Sequence, residues 1–276
     1  MRSVPMTFKI NFELKELDQV LLWGEAPNQR IHWFGLTDGL LWIDVGEQTI
    51  YEYSKEAQEY FEECHSYNDY QLSRFLEDFS ELFKGIGESV PRELYDYVEE
   101  FEKQAEQWQN LYIDLSDELF NQFYFEDYLG MTSWLLSERT MDSGHLVGGP
   151  HISFVRCEDK IKIFWTGNYQ LENGRNIWKF PSGVFEMSYN EFVDEVTRFF
   201  RAFYLAMDRQ VENAVKKEWG HVALDKDRLV IENVERKEGF NQLLSFLSQP
   251  PAHTDWDKVL LLHKRMIKEI QNGLRK

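Results

Sequence analysis

Residues 31–43, IHWFGLTDGLLWI, constrain the fold more than any other stretch of the chain. Asp38-Gly39 is a pair that tolerates the positive φ values of a two-residue type I′ turn, so the spacing predicts a hairpin bent at that point. Its register would set Leu36 against Leu41, Phe34 against Ile43 and His32 against Val45 on a core face. Gly35 would then face Trp42, and Trp33 would face Asp44, on the other. Trp33 and Trp42 become diagonal neighbours, and two indoles left in water would expose an apolar patch that monomers seldom tolerate without a purpose, so a covering helix is expected.

Alternation of Phe8, Ile10, Phe12 and Leu14 with polar residues predicts a first strand, and residues 48–53 a further one ending at Ser54, which can cap a helix starting at Lys55. From there the apolar period lengthens. Phe75, Leu76, Phe79, Leu82 and Phe83 form one helical stripe, with Gly85 placed for a C-terminal left-handed residue. Pro91 suits the first turn of the next helix, where Leu94, Val98, Phe101, Ala105 and Trp108 keep heptad spacing. That is too few heptads for a coiled coil and predicts a packing seam within one molecule. Ser116 opens another helix through Phe120, Phe123 and Tyr128.

Residues 141–150 read as a loop, followed by a hairpin of residues 151–157 and 160–166 across Glu158-Asp159, with Ile161, Ile163 and Trp165 on one face. Residues 177–180 and 184–187 read as two strands joined at Pro181-Ser182-Gly183. A capping box at Ser188–Glu191 then starts a Phe-rich helix which, if unbroken to Trp219, is ~45 Å long at 1.5 Å per residue. Two shorter helices follow, the second capped by Thr254 and Asp257. The similarity of residues 51–54 (YEYS) to 185–188 (FEMS) is short enough to reflect a shared preference for a Ser cap rather than duplication.

The net charge of −18 is unevenly distributed: residues 55–140 hold six Lys or Arg against twenty-one Asp or Glu, whereas 141–276 hold twenty against nineteen. A field of that sign repels phosphate backbones and anionic lipid, so neither nucleic acid nor membrane is an expected partner. It would attract a basic protein, with Glu93, Asp96, Glu99, Glu100 and Glu106 as the binding carboxylates; the plainer reading is a solvated face that keeps the chain soluble. Nine Trp, thirteen Tyr and twenty-one Phe exclude a disordered chain. Two cysteines, Cys64 and Cys157, are too few for a disulfide framework, and no charged-then-apolar leader follows Met1, so a reducing cytoplasm is expected.

Catalytic motifs are missing from the sequence: there is no G-x-S-x-G, no phosphate-binding glycine loop and no H-E-x-x-H or paired CxxC. No metal and no cofactor are therefore expected. His145 and His151 flank the glycine-rich loop and could approach Asp142 or Cys157, which is the one place where a base or ligand set is conceivable. Carboxylate pairs such as Glu99 with Glu102, or Glu62 with Glu63, arise by chance in so acidic a segment.

The stretch Leu22-Trp23-Gly24, residues 31–39 (IHWFGLTDG) and Trp42-Ile43 resembles the signature of an uncharacterised bacterial family, a domain of unknown function. The similarity continues through Ile177-Trp178, residues 183–187, the Phe-rich helix with Met207-Asp208 and Gln210-Val211, and Trp256. That resemblance implies no catalytic residue. In general character, acidic, aromatic-rich α+β chains without catalytic motifs are similar to immunity proteins that neutralise toxins.

The expected architecture is thus one α+β domain spanning 1–276, with a possible division into 1–140 and 141–276. Antiparallel sheets from the N-terminal and central hairpins would be packed by an acidic helical layer and a long C-terminal helix. The leading functional expectation is a non-catalytic protein-binding module of immunity or antitoxin type. The alternative is an enzyme or small-ligand binder with a pocket near His145, His151, Trp33 and Trp42; a third is an oligomer built on a strand edge or the heptad-spaced seam.

Overall fold

A computed structural model describes residues 7–61 and 65–274, so Glu62, Glu63 and Cys64 lie outside the described residues. In chain order the elements are β1 (Phe8–Leu14), β2 (Asp38–Val45), β3 (Gln48–Ile50), α1 (Lys55–Tyr60), β4 (Asn68–Gln71), α2 (Leu72–Glu81), α3 (Phe83–Gly87), α4 (Arg92–Tyr95), α5 (Phe101–Tyr112), α6 (Asp117–Phe123), α7 (Leu129–Leu136), β5 (Thr140–Asp142), β6 (His151–Cys157), β7 (Lys160–Thr166), β8 (Ser182–Ser188), α8 (Tyr189–Lys216), α9 (Lys226–Ser248) and α10 (Trp256–Asn272). The class is α+β. Among the described residues the strands form two four-stranded antiparallel sheets.

In the first sheet β2 is central. It pairs with β1 along its whole length, Phe8 opposite Val45 and Leu14 opposite Gly39, while β4 and β3 share its other edge. The hairpin expected at Asp38-Gly39 is not formed. Gly35–Thr37 is a 3-10 turn, and Asp38, at φ −59° and ψ 130°, is the first residue of β2. The Thr37 hydroxyl holds that turn by donating to the Phe34 carbonyl at 2.7 Å and accepting from the Ser73 N–H at 3.2 Å. Gly39 serves a different need: a Cβ there would stand 2.3 Å from the Glu13 carbonyl oxygen, so its lack of a side chain lets β1 approach.

The second sheet runs β5-β6-β7-β8. The β6–β7 hairpin turns at Glu158, at φ 55°, and buries Ile161, Ile163 and Trp165 as the alternation requires. Pro181-Ser182-Gly183 is not a turn between two strands: Ser182 and Gly183 belong to β8, where a Cβ on Gly183 would meet the Trp165 ring at 2.3 Å. Residues 177–180 form no strand among the described residues; Trp178 makes an isolated bridge to Tyr53, with the two rings stacked at 4.7 Å.

Strand β6 is the wall between two apolar clusters. Ile152 and Phe154 point into the larger one, with both sheets, α2, α8 and α9; Val155 and Cys157 point into the smaller one, with α5, α7 and α10. Period-two geometry sends successive residues to opposite faces, so β6 buries apolar side chains on both, and its one fully buried polar residue, Ser153, is bonded to the Thr140 hydroxyl at 2.8 Å. In the larger cluster Phe79 meets Phe154 at 4.9 Å and Phe200 stacks on Phe240 at 3.6 Å. Each fully buried Phe is worth roughly 2–3 kcal/mol of transfer free energy.

The helix ends show where local signals succeed. Ser54 accepts from the Ala57 N–H at 3.1 Å, as its position predicts, and α8 runs for 28 residues as the long C-terminal helix. Ser188 is the N-cap of α8 but its side chain makes no cap bond, so the capping box is not closed. Asp255, rather than Thr254 or Asp257, caps α10, accepting from the Lys258 N–H at 3.1 Å. Gly85 lies inside α3 instead of ending a helix; there a Cβ would stand 2.2 Å from the Glu138 carbonyl oxygen.

Candidate functional site

The outer face of the second sheet carries the helical layer α4–α7, closed by α10. Pro91 is the N-cap of α4, and the chain passes through a short 3-10 turn at Val98–Glu100 before α5. Leu94, Val98, Phe101, Ala105 and Trp108 all turn inward and are buried, with Phe101 set edge-on to Trp134 at 5.2 Å. The heptad-spaced seam is therefore internal. Burying that stripe leaves the acidic positions outside.

Glu93, Asp96, Glu99, Glu100 and Glu106 are all exposed. Glu99 is tied to β7 by Lys162 at 2.9 Å, whereas among the described residues Glu93, Asp96, Glu100 and Glu106 have no ion pair. Apolar side chains stand in water among them: Tyr97 is 58%, Ile113 60%, Leu119 53% and Phe125 66% exposed.

Polar contacts tie the layer to the sheet and to α10. Tyr95 donates to Glu186 at 2.8 Å across to β8. At the other end, the Trp108 indole and the Tyr112 hydroxyl both donate to one oxygen of Glu269, at 2.6 and 2.8 Å. Arg265 binds the other Glu269 oxygen at 2.9 Å, the Tyr112 hydroxyl at 2.8 Å and Asp127 at 2.5 Å. Burial alone would raise the Glu269 carboxyl, but the donors from Trp108, Arg265 and Tyr112 outweigh it and hold the group below the usual carboxylate range. Burial, together with the bond to Glu269, pushes the Tyr112 hydroxyl up to about 12.

Between α5–α6 and α10 lies a groove of about 770 Å³, floored by Tyr112 and Leu115, with Leu119 on one wall and Leu261 on the other. Leu261 is 68% exposed, and Lys264 and Lys268 stand on its wall.

A family of unknown function (DUF5984) matches residues 9–261. The chain belongs to that family. No curated protein and no solved structure matches the chain.

The structure separates the other residues singled out in the sequence. Trp33 is buried under α9, where its indole donates to Asn233 at 2.9 Å and the Arg236 guanidinium lies 4.4 Å from its ring. Trp42, half-buried, stacks on Tyr67 at 4.4 Å, and Asp44 accepts from Asn11 and Thr49. The two indoles are therefore not neighbours: Trp33 precedes the 3-10 turn, and only Trp42 lies on β2.

His145 packs on Tyr70 at 4.9 Å with Nδ1 4.0 Å from Asp78, and burial with the nearby Arg74 charge lowers its pKa against the opposing pull of Asp142. Its Nδ1 has no hydrogen-bond partner among the described residues. His151 is exposed, 3.4 Å from Asp142, and lines a separate groove of about 400 Å³ with Glu99, Glu102 and Lys103. His151 is thus brought to Asp142 and shares a groove with Glu99, whereas His145, Trp33 and Trp42 do not line that groove. Among the described residues no group of three or more His, Cys, Asp or Glu is arranged to hold a metal ion. No described helix is long and apolar enough to cross a membrane.

Local pattern did not disclose the Arg265–Glu269–Tyr112–Trp108 network or the groove beside it. The i,i+4 pair Arg265 and Glu269 was the available signal, but it resembles any exposed helix pair.

Proposed function

We propose that this chain is a non-catalytic protein-binding module that meets a basic protein through the outer face of α4–α6, with neutralisation of a toxic partner as its concrete form. The observation that carries the reading is the pattern on that face, where Glu93, Asp96, Glu100 and Glu106 have no ion pair among the described residues and lie among exposed Tyr97, Ile113, Leu119 and Phe125. Carboxylates of one sign steer a cationic partner and select its orientation, while desolvated apolar and aromatic groups supply most of the affinity. The same field disfavours nucleic acid and anionic membranes.

The test is affinity capture from host lysate with the wild-type chain and with a variant carrying Glu93→Gln, Asp96→Asn, Glu100→Gln and Glu106→Gln. A partner held at low salt, released as ionic strength rises, and lost from the variant supports the reading. Partners that are indifferent to salt, or held equally by the variant, overturn it. Co-expression with the captured protein then asks whether the chain suppresses its toxicity.

A small-ligand reading has one observation in its favour, the groove of about 400 Å³ holding His151, Glu99, Glu102 and Lys103. Against it, Glu99 is engaged by Lys162, and the Ser153 hydroxyl in the same groove is bonded to Thr140 at 2.8 Å.

A further inference from the structure

Leu115, Leu119, Leu261 and Leu274 line the groove between α5–α6 and α10 beside the Tyr112 ring. Gly273, at φ 72°, ends α10 and turns the chain so that Leu274 joins that lining. Four charged side chains also line it. Two of them, Arg265 and Glu269, neutralise one another at 2.9 Å and are engaged further by Asp127, Tyr112 and Trp108. The other two are Lys264 and Lys268, both exposed and with no ion pair among the described residues, one helical turn apart on the wall that carries Leu261. The uncompensated charge of the lining is thus positive, in a chain whose net charge is −18. Like charges four residues apart on a helix repel, and an anion placed between them relieves that repulsion.

We infer that this groove binds a free amphiphile with one anionic end, a long-chain carboxylate, its chain on the leucines and its carboxylate on Lys264 and Lys268. The inference rests on the lining alone and is independent of any protein partner on α4–α6. A volume of about 770 Å³ is that of a small-molecule site. A neutral apolar ligand would gain nothing from the lysines. A nucleotide would need an aromatic face for its base, and the Tyr112 ring is already stacked on Phe123 at 3.6 Å. Repulsion from the net negative chain grows with the charge of an approaching anion, so a ligand with a single carboxylate is opposed less than an anionic bilayer or an acidic protein segment.

The experiment uses the full chain and dansyl-labelled undecanoate, whose emission rises and shifts to the blue as the label leaves water, with every amphiphile kept below micelle formation. Dodecanoate is expected to displace the probe at one saturable site. Decanoate should do so more weakly, by between about threefold and the ~15-fold that full burial of two methylenes would give. Lys264→Gln with Lys268→Gln should weaken dodecanoate about tenfold, the scale of two exposed ion contacts, and leave dodecanol unchanged. Lys264→Arg with Lys268→Arg should keep the affinity. Leu119→Gln with Leu261→Gln, at positions more than half exposed, should weaken dodecanoate and dodecanol alike, with thermal midpoints showing that the fold is retained.

No saturable displacement overturns the proposal, as does equal affinity for dodecanoate and dodecanol in the wild type. Indifference of dodecanoate to the glutamine substitutions at both lysines overturns it as well, because the carboxylate then lies elsewhere. Tighter displacement by a leucine-striped helical peptide with glutamate flanks would replace the free acid with an acidic protein segment. Flotation of the chain with phosphatidylglycerol vesicles, lost in the lysine-to-glutamine variant, would replace it with a membrane surface.

Discussion

Glu88 Oε2 lies 3.2 Å from Nη2 of Arg139, a side chain with no exposure to solvent. The guanidinium also donates to the Trp134 carbonyl, faces Glu138 at 3.5 Å and lies 5.3 Å from the Trp256 ring. Glu88 in turn accepts from the Thr254 hydroxyl at 2.6 Å and from the N–H groups of His253 and Thr254. One buried ion pair therefore joins the end of α3, the end of α7 and the α9–α10 connection.

Removing one member of such a pair leaves the other charged and desolvated. Arg139→Leu and Glu88→Gln are each expected to destabilise by about 3–5 kcal/mol, read from urea denaturation midpoints at unchanged m. The double variant should cost clearly less than the sum, because no lone charge remains. Single variants below ~1 kcal/mol, or strict additivity, would show that the contact carries little.

The Glu269 network makes a pH dependence with a definite sign. Its folded-state carboxyl lies below the ordinary 4.5, so the stability it confers is fully present above that pH and is lost as pH falls through the folded value. Denaturation series from pH 7 down to pH 3 should show a shallower acid loss for Glu269→Gln than for the wild type, at the cost of lower stability at neutrality. Identical slopes would mean that the donors from Trp108, Tyr112 and Arg265 do not favour the charged form.

Periodicity made much of this architecture legible. Phe8 to Leu14, Leu94 to Trp108 and Ile161 to Trp165 each show in the sequence the face they bury, and the acidic outer face of the layer follows from the second of these. Glycine was where the reading failed. Gly39, Gly85 and Gly183 look like turn or cap signals, yet each is used because a neighbouring backbone or ring leaves no room for a Cβ. Sequence alone does not separate glycine's two properties, permissive φ and missing side chain. The pairing of β2 with β1 rather than with residues 31–36, and the groove wall that α10 supplies to α6, are long-range choices that no local window contains.

Trp33 offers a direct check of the corrected fold. Its indole donates to Asn233 Oδ1, and the Asn233 amide donates to Asp208 at 2.8 Å, so the ring belongs to a polar chain under α9 instead of an open hairpin face. Trp33→Phe leaves Asn233 Oδ1 buried without its donor and weakens the contact with Arg236, for an expected loss of about 2 kcal/mol. Combining it with Asn233→Leu should recover part of that loss, giving a coupling of ~1 kcal/mol in a double-mutant cycle. Independent effects would contradict the bond.

Two glycines in helices should respond in opposite directions. In α3, a methyl on Gly85 would stand 2.2 Å from the Glu138 carbonyl oxygen and 3.0 Å from its carbon, and since both belong to the backbone preceding Arg139, relief requires moving α3 away from it. Gly85→Ala is expected to destabilise by about 2 kcal/mol or more, the scale of an overpacked site. In α9, Gly239 is exposed and a Cβ there meets nothing within 4 Å. Its substitution by Ala adds helix propensity at no steric cost and should stabilise by roughly 0.5–1 kcal/mol. Thermal melts of the two variants beside the wild type decide the matter: shifts of the same sign would mean that α3 does not approach residue 138 as closely as the structure places it.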